Sequence, residues 1–208
     1  SDIVAGMDWI LKNKNKYNIR IVSLSIGSDP DLSESKDPLV KAVNRLWDEG
    51  IVVVAAAGNS GPKAETINSP GISKKIITVG SLDDKGTINT RDDIIPSFSS
   101  RGPTKEGNLK PDIVAPGVDI LSLNSDKEFL PKQGIKRYKF KKSEEPYKNM
   151  TGTSMSTPIV SGAIALLLEK NPKYTPDEVK KKIIDSARTL NANQNVQGYG
   201  MINIENIL

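Results

Sequence analysis

The apolar positions along the chain change period several times, and each change marks an element. Ile3, Val4, Met7, Ile10 and Leu11 recur at helical spacing, with Ser1 or Asp2 placed to cap them and Lys12, Lys14 and Lys16 at the far end. This predicts a helix over 2–16. Residues 19–26 then read as a strand that stops at Gly27. Asp37-Pro38 is a cap followed by proline at the first helical position, and Leu39, Val40, Val43, Leu46 and Trp47 form the stripe behind it, up to Gly50.

Residues 51–57 are apolar without alternation, as expected of a strand covered on both faces in a parallel sheet. Residues 76–79 repeat that signal. Residues 155–169 read as a helix rich in small residues that packs closely on most sides. Thr175 opens the last clear helix with a capping box, and Val179, Ile183, Ile184 and Ala187 supply its buried stripe. Long irregular stretches are expected at 83–111 and 123–149. Helix and strand in this rhythm predict an α/β fold with a mainly parallel sheet flanked by helices. A length of 208 residues suits one large domain or two small ones.

Composition narrows the chemistry. No apolar run approaches a membrane span, so no membrane partner is expected. There is no cysteine, which excludes disulfides and thiolate metal sites and leaves the compartment open. The net charge of +4 is concentrated: residues 126–148 hold eight Lys/Arg against four Asp/Glu, and the rest balances at 21 against 21. That segment, within 125–149, reads as a solvated basic insertion loop. A nucleic-acid surface would need an ordered basic face with stacking aromatics; Tyr138 and Phe140 are present but nothing else supports one, so no nucleic-acid partner is expected.

Two stretches carry candidate chemistry. "GTSMSTP" at 152–158 places Ser154 between small residues at a helix start. There its own N–H is an unclaimed donor and the helix dipole favours developing negative charge. Thr153 or Ser154 acting only as a helix cap is the competing reading. "AAAGNSGP" at 55–62 sets Asn59 just past a buried strand, at the sheet edge where open α/β folds bind ligands. A neutral, fixed amide donor there suits an oxyanion; a plain turn is the competing reading.

Taken together, these stretches resemble the C-terminal part of a subtilisin-like serine protease, a subtilase of the S8 type. "SLSIG" at 23–27, "VVVAAAGNSGP" at 52–62, "INSPGISKKIITVGS" at 67–81 and "PSFSSRGP" at 96–103 match the family in order. "KPDIVAPGVDI" at 110–120, "GTSMSTPIVSGAIALLLEKNP" at 152–172 and "GYGMINI" at 198–204 complete the series. The wording is similar to that of AprX-like subtilases of bacilli and clostridia.

The resemblance implies a serine endopeptidase acting on polypeptides through an acyl-enzyme on Ser154. It implies a central helix starting at this nucleophile, with Asn59 and the Ser154 N–H as the oxyanion hole. It implies that Ser25, Ile26 and Gly27 pair with an extended substrate, and that Ala56, Ala57 and Gly58 line the pocket before the scissile bond with Asn68 near its base. Ser69-Pro70 matches a position that is cis in the family. No cofactor is required for catalysis on this reading. Structural calcium is common in the family, but its ligands have no identifiable counterpart in this sequence.

The family triad runs Asp, His, Ser along the chain, yet the sequence contains no histidine. The expectation is that residues 1–208 form part of one catalytic domain whose Asp and His lie N-terminal to Ser1, and that the 208-residue chain is inactive by itself. A peptide-binding subtilase relative without catalysis is the alternative. A further expectation is that strand 19–26, lacking its neighbour, associates with a second copy.

Overall fold

The computed structural model describes residues 2–30, 33–124 and 146–208. The basic insertion predicted at 125–149, and Ser1 as a possible cap, fall largely or wholly outside them.

Four strands form one parallel sheet in the order β1 (Ile21–Leu24), β2 (Val52–Ala56), β3 (Ile77–Leu82), β4 (Ile113–Pro116). The register runs Val22 opposite Val53, Ala55 opposite Thr78 and Gly80 opposite Val114. β2 and β3 are buried at every residue, which explains their unbroken apolar runs. β1 is different. Val22 is buried and Ser23 exposed, and among the described residues the strand pairs only with β2.

The helices follow the same logic. α1 (Asp2–Tyr17) packs on α2 (Pro38–Asp48), which buries Val40, Val43, Leu46 and Trp47. Asp37 caps α2 by accepting the Leu39 and Val40 N–H groups. α3 (Thr153–Lys170) crosses all four strands and buries Val160, Ala163, Ile164 and Leu167 against them. α4 (Pro176–Asp185) carries the full capping box at Thr175 and Glu178 and buries Val179 and Ile183. Short helices α5 (Gln194–Gln197) and α6 (Ile204–Ile207) close the described chain. No helix of the described residues is long and apolar enough to cross a membrane.

Two sequence expectations need correction, and one strand was not anticipated. The α1 stripe is split: Met7 is buried, whereas Ile3 and Val4, in the first turn of the helix, line a surface cleft. The segment expected to be irregular at 123–149 ends in a strand. β5 (Ile120–Leu123) and β6 (Tyr147–Met150) pair antiparallel as a separate ribbon, whose exposed residues lack the burial that produces a legible pattern. β4 carries no strand signal of its own, being four residues long, with Pro111 two residues before it and Pro116 as its last residue.

Candidate active site

The cleft lies where β1 and β2 end, at the carboxyl edge of the sheet. Its volume is about 760 Å³. Ser154 and Thr153 reach it from the start of α3, Gly58 and Asn59 from the end of β2, and Ser25, Ile26 and Gly27 from the end of β1.

Ser154 is the second residue of α3, not its cap. The cap is Gly152, at φ 148°, which has no side chain to bond to the first turn. That backbone conformation favours glycine, and a β-carbon there would also press within 3.3 Å of Asn59 Nδ2. The Ser154 side chain therefore has no capping duty. Its hydroxyl donates to the Ser25 carbonyl at 3.3 Å.

The reciprocal bond has a cause in the sequence. Pro158 sits inside α3, four residues on, and has no N–H to offer the Ser154 carbonyl. The Ser25 hydroxyl takes that acceptor instead, at 2.8 Å. The proline thus frees a helix carbonyl, and the freed carbonyl ties the nucleophile helix to the end of β1.

Asn59 is held by its oxygen. Oδ1 accepts the Thr153 N–H at 3.0 Å and the Thr153 hydroxyl at 3.1 Å. Thr153 Oγ1 in turn accepts the Gly58 N–H at 3.3 Å. With Oδ1 anchored twice, Nδ2 has no partner among the described residues and is available to a ligand. The amide and the first turn of α3 present donors to the same region.

The predicted pocket is mostly assembled. Ala56, Gly58 and Asn68 line it, and Gly58 takes φ 108°, a conformation that favours glycine, where a β-carbon would collide with the Asn68 amide. Asn68 Oδ1 is buried without a partner among the described residues. Ala57 is not on the wall. Successive strand residues point to opposite sides, and Ala57 turns away into a small core cluster with Val40, Ile67 and Ile72. Ser69-Pro70 is cis, and Ser69 bridges Ser28, joining the two walls.

The far end of the cleft escapes a reading of the sequence. Ile3, Val4, Pro38 and Leu39 line it alongside Ile26. Their spacing is that of core stripes, and only the tertiary arrangement shows that their helix starts meet at the cleft mouth. Thr153 escapes it too: its place next to Ser154 is plain, but nothing in the chain pattern marks it as the anchor of Asn59. Among the described residues, no three His, Cys, Asp or Glu side chains converge in a way that could hold a metal ion.

Known proteins resemble this chain in sequence and in fold. The chain is 46% identical to serine protease AprX of Bacillus subtilis (strain 168) over 212 residues, covering 99% of this chain and 47% of AprX. It is 32% identical to pyrolysin of Pyrococcus furiosus over 239 residues, covering 98% of this chain and 16% of pyrolysin. The chain thus spans about half the length of AprX. Among solved structures, the prenylagaramide maturation protease PagA superposes with a TM-score of 0.70 at 26% identity, covering 98% of this chain and 66% of that one. The family model described as the subtilase family, Peptidase_S8, matches residues 1–200, a span that contains every residue of the cleft, and the chain belongs to that family.

Proposed function

We propose that these 208 residues supply the nucleophile, the oxyanion hole and most of the substrate cleft of a subtilisin-like serine endopeptidase. The observation that carries this is the double anchoring of Asn59 Oδ1 on Thr153, which leaves Nδ2 unclaimed beside Ser154. In this scheme an extended polypeptide lies along Ser25, Ile26 and Gly27, with the side chain before the scissile bond between Ala56, Gly58 and Asn68. The Ser154 hydroxyl leaves the Ser25 carbonyl and attacks the scissile carbonyl carbon while its proton passes to a base. Asn59 Nδ2 and the Ser154 N–H hold the oxyanion. Collapse expels the amine, and water then hydrolyses the acyl-enzyme. The scheme calls on no cofactor.

The base is an imidazole, and this chain has none. The reading is therefore that Asp and His come from residues outside 1–208 and that the 208-residue chain alone is not hydrolytically competent. Subtilisins stripped of triad members retain only about 10³–10⁴-fold over water. A fluorophosphonate probe on the longer protein and on 1–208 tests both parts. Labelling is expected in the longer protein, lost in Ser154→Ala, and slow in 1–208. Labelling that survives Ser154→Ala rejects the nucleophile. Peptide hydrolysis by 1–208 at the rate of the longer protease rejects the inactivity.

The same reading makes the outer edge of β1 a pairing site for a second copy when 1–208 is produced alone. Sedimentation of 1–208 is expected to show dimers or larger species that Ser23→Pro disperses, since the exposed Ser23 N–H faces away from β2 and proline cannot donate to a ladder. A monomer at all concentrations refutes it.

A further inference from the structure

Two separate segments wall the cleft where the substrate residues before the scissile bond would lie. One is Ser25–Ser28, whose chain runs out through 29–36 and returns at Pro38 and Leu39, which line the same cleft. The other starts at Asn68 and continues through Ser69 to Lys74. Next to the cleft the two are joined by main-chain bonds. The Ser28 N–H donates to the Ser69 carbonyl at 3.1 Å, and the Ser69 N–H donates to the Ser28 carbonyl at 2.9 Å.

Farther along both segments a second join is made by one side chain. Glu34 is half-buried, and its Oε1 accepts the Lys74 N–H at 2.8 Å. Its Oε2 accepts from Asn108 Nδ2 at 3.1 Å. The Glu34 N–H donates to Glu106 Oε1 at 2.9 Å, and Lys105 Nζ donates to the Pro30 carbonyl at 3.0 Å. The 104–108 turn is a fixed post for these bonds. Thr104 is buried, the Thr104 N–H donates to the Asn108 carbonyl at 2.9 Å, and the Gly107 N–H donates to the Thr104 carbonyl at 2.8 Å. A surface loop such as 29–36 keeps one shape only as far as such ties hold it. A carboxylate suits the task because both its oxygens accept, one for each neighbouring segment. Glutamine keeps one of those oxygens, and the Asn108 amide can turn its own oxygen toward the glutamine NH₂.

We propose that Glu34 is a positioning residue for the substrate: by tying 29–36 to Lys74 and to the 104–108 turn, it sets the spacing of the two cleft walls. Ser25–Gly27 and Asn68 are thereby held where an extended polypeptide meets both. The proposal rests on the endopeptidase reading above. None of the Glu34 bonds reaches Ser154, Asn59 or Thr153. Its loss therefore acts on the binding of residues before the scissile bond and not on the chemical step. Binding lost equally from ground state and transition state raises KM and leaves kcat in place.

The test is steady-state kinetics of the longer protease on two chromogenic peptides, one with several residues before the scissile bond and one with a single residue. Glu34→Ala is expected to raise KM for the longer peptide about three- to tenfold, the worth of one or two hydrogen bonds, with kcat within about twofold of the parent. The short peptide is expected to change less. Asn108→Ala, which removes one of the two ties, is expected to give a smaller rise, and Glu34→Gln to return KM to near the parent value. Fluorophosphonate labelling of Ser154, which needs the nucleophile and not the walls, is expected to keep the parent rate in all three. In a Ser154→Ala background, hydrogen exchange over 25–28 and 69–75 is expected to quicken in Glu34→Ala and to recover in Glu34→Gln. A fall in kcat and labelling rate together with Tm, or equal losses on both peptides, makes Glu34 a general support and overturns the proposal. An active parent with an indifferent Glu34→Ala overturns it alone, whereas a parent that neither cleaves nor labels overturns the endopeptidase reading and this role together.

Discussion

Thr153→Val removes one hydroxyl from the floor of the candidate oxyanion hole and little else. Thr153 is fully buried, and valine keeps its shape. Two bonds are lost: the 3.1 Å donation to Asn59 Oδ1 and the 3.3 Å bond accepted from the Gly58 N–H. The 3.0 Å bond from the Thr153 N–H to Asn59 survives. Leaving the part-buried Gly58 N–H without an acceptor costs about 1–2 kcal/mol, or roughly 2–8 °C in Tm for a domain of this size. Asn59 keeps one of its two anchors, so its amide is loosened and not lost. One bond of about 1 kcal/mol corresponds to about fivefold in rate. Losing the donor altogether costs about 10²–10³ in turnover, a figure measured on a subtilisin. The expected result in the longer, active protease is a fall of about fivefold in kcat with KM nearly unchanged, because an oxyanion exists only in the transition state. Thr153→Ser, which keeps the hydroxyl, should restore kcat. Steady-state kinetics on a chromogenic peptide, paired with calorimetry, reads both effects. A lower Tm with kcat unchanged would make Thr153 a structural residue only and would refute its role as the anchor of the oxyanion donor.

Leu167→Ala tests the role of α3 as the spine of the domain: Leu167 is fully buried against the sheet, and chemical denaturation should show a loss of about 2–5 kcal/mol. A loss below about 1 kcal/mol would contradict the packing. Lys110 gives a pH signature. Burial chiefly, with the Lys180 charge adding and Asp112 opposing, lowers its pKa from 10.5 to about 8. Below pH 8 the lysine is protonated in both states; between 8 and 10.5 the unfolded chain holds more protons, so stability rises with pH across that window. Urea midpoints on either side of that window, taken relative to Lys110→Met, should show that rise, and a difference that stays flat would reject it.

Much of this molecule is legible in its sequence. The unbroken apolar runs of β2 and β3, the Asp37-Pro38 and Thr175–Glu178 helix starts and the order of the family motifs are local signals, readable because capping and full burial leave marks on adjacent residues. Ser154 and Asn59 stand out as candidates for the same reason. Pro158 is legible too, but its consequence is not: only the fold shows that the carbonyl it frees is taken by Ser25, 129 residues away. The same limit hides the turn of Ala57 into the core, the part of Ile3 and Leu39 at the cleft mouth, and the gathering of Lys110 and Lys180 around Asp112. Each of those depends on which face of an element meets which neighbour. Chain pattern alone determined which elements form and which residue types stand at their ends. Tertiary structure alone decided which of those ends meet, because the contacts that build a cleft or a buried ion pair join residues whose separation along the chain carries no periodic signal.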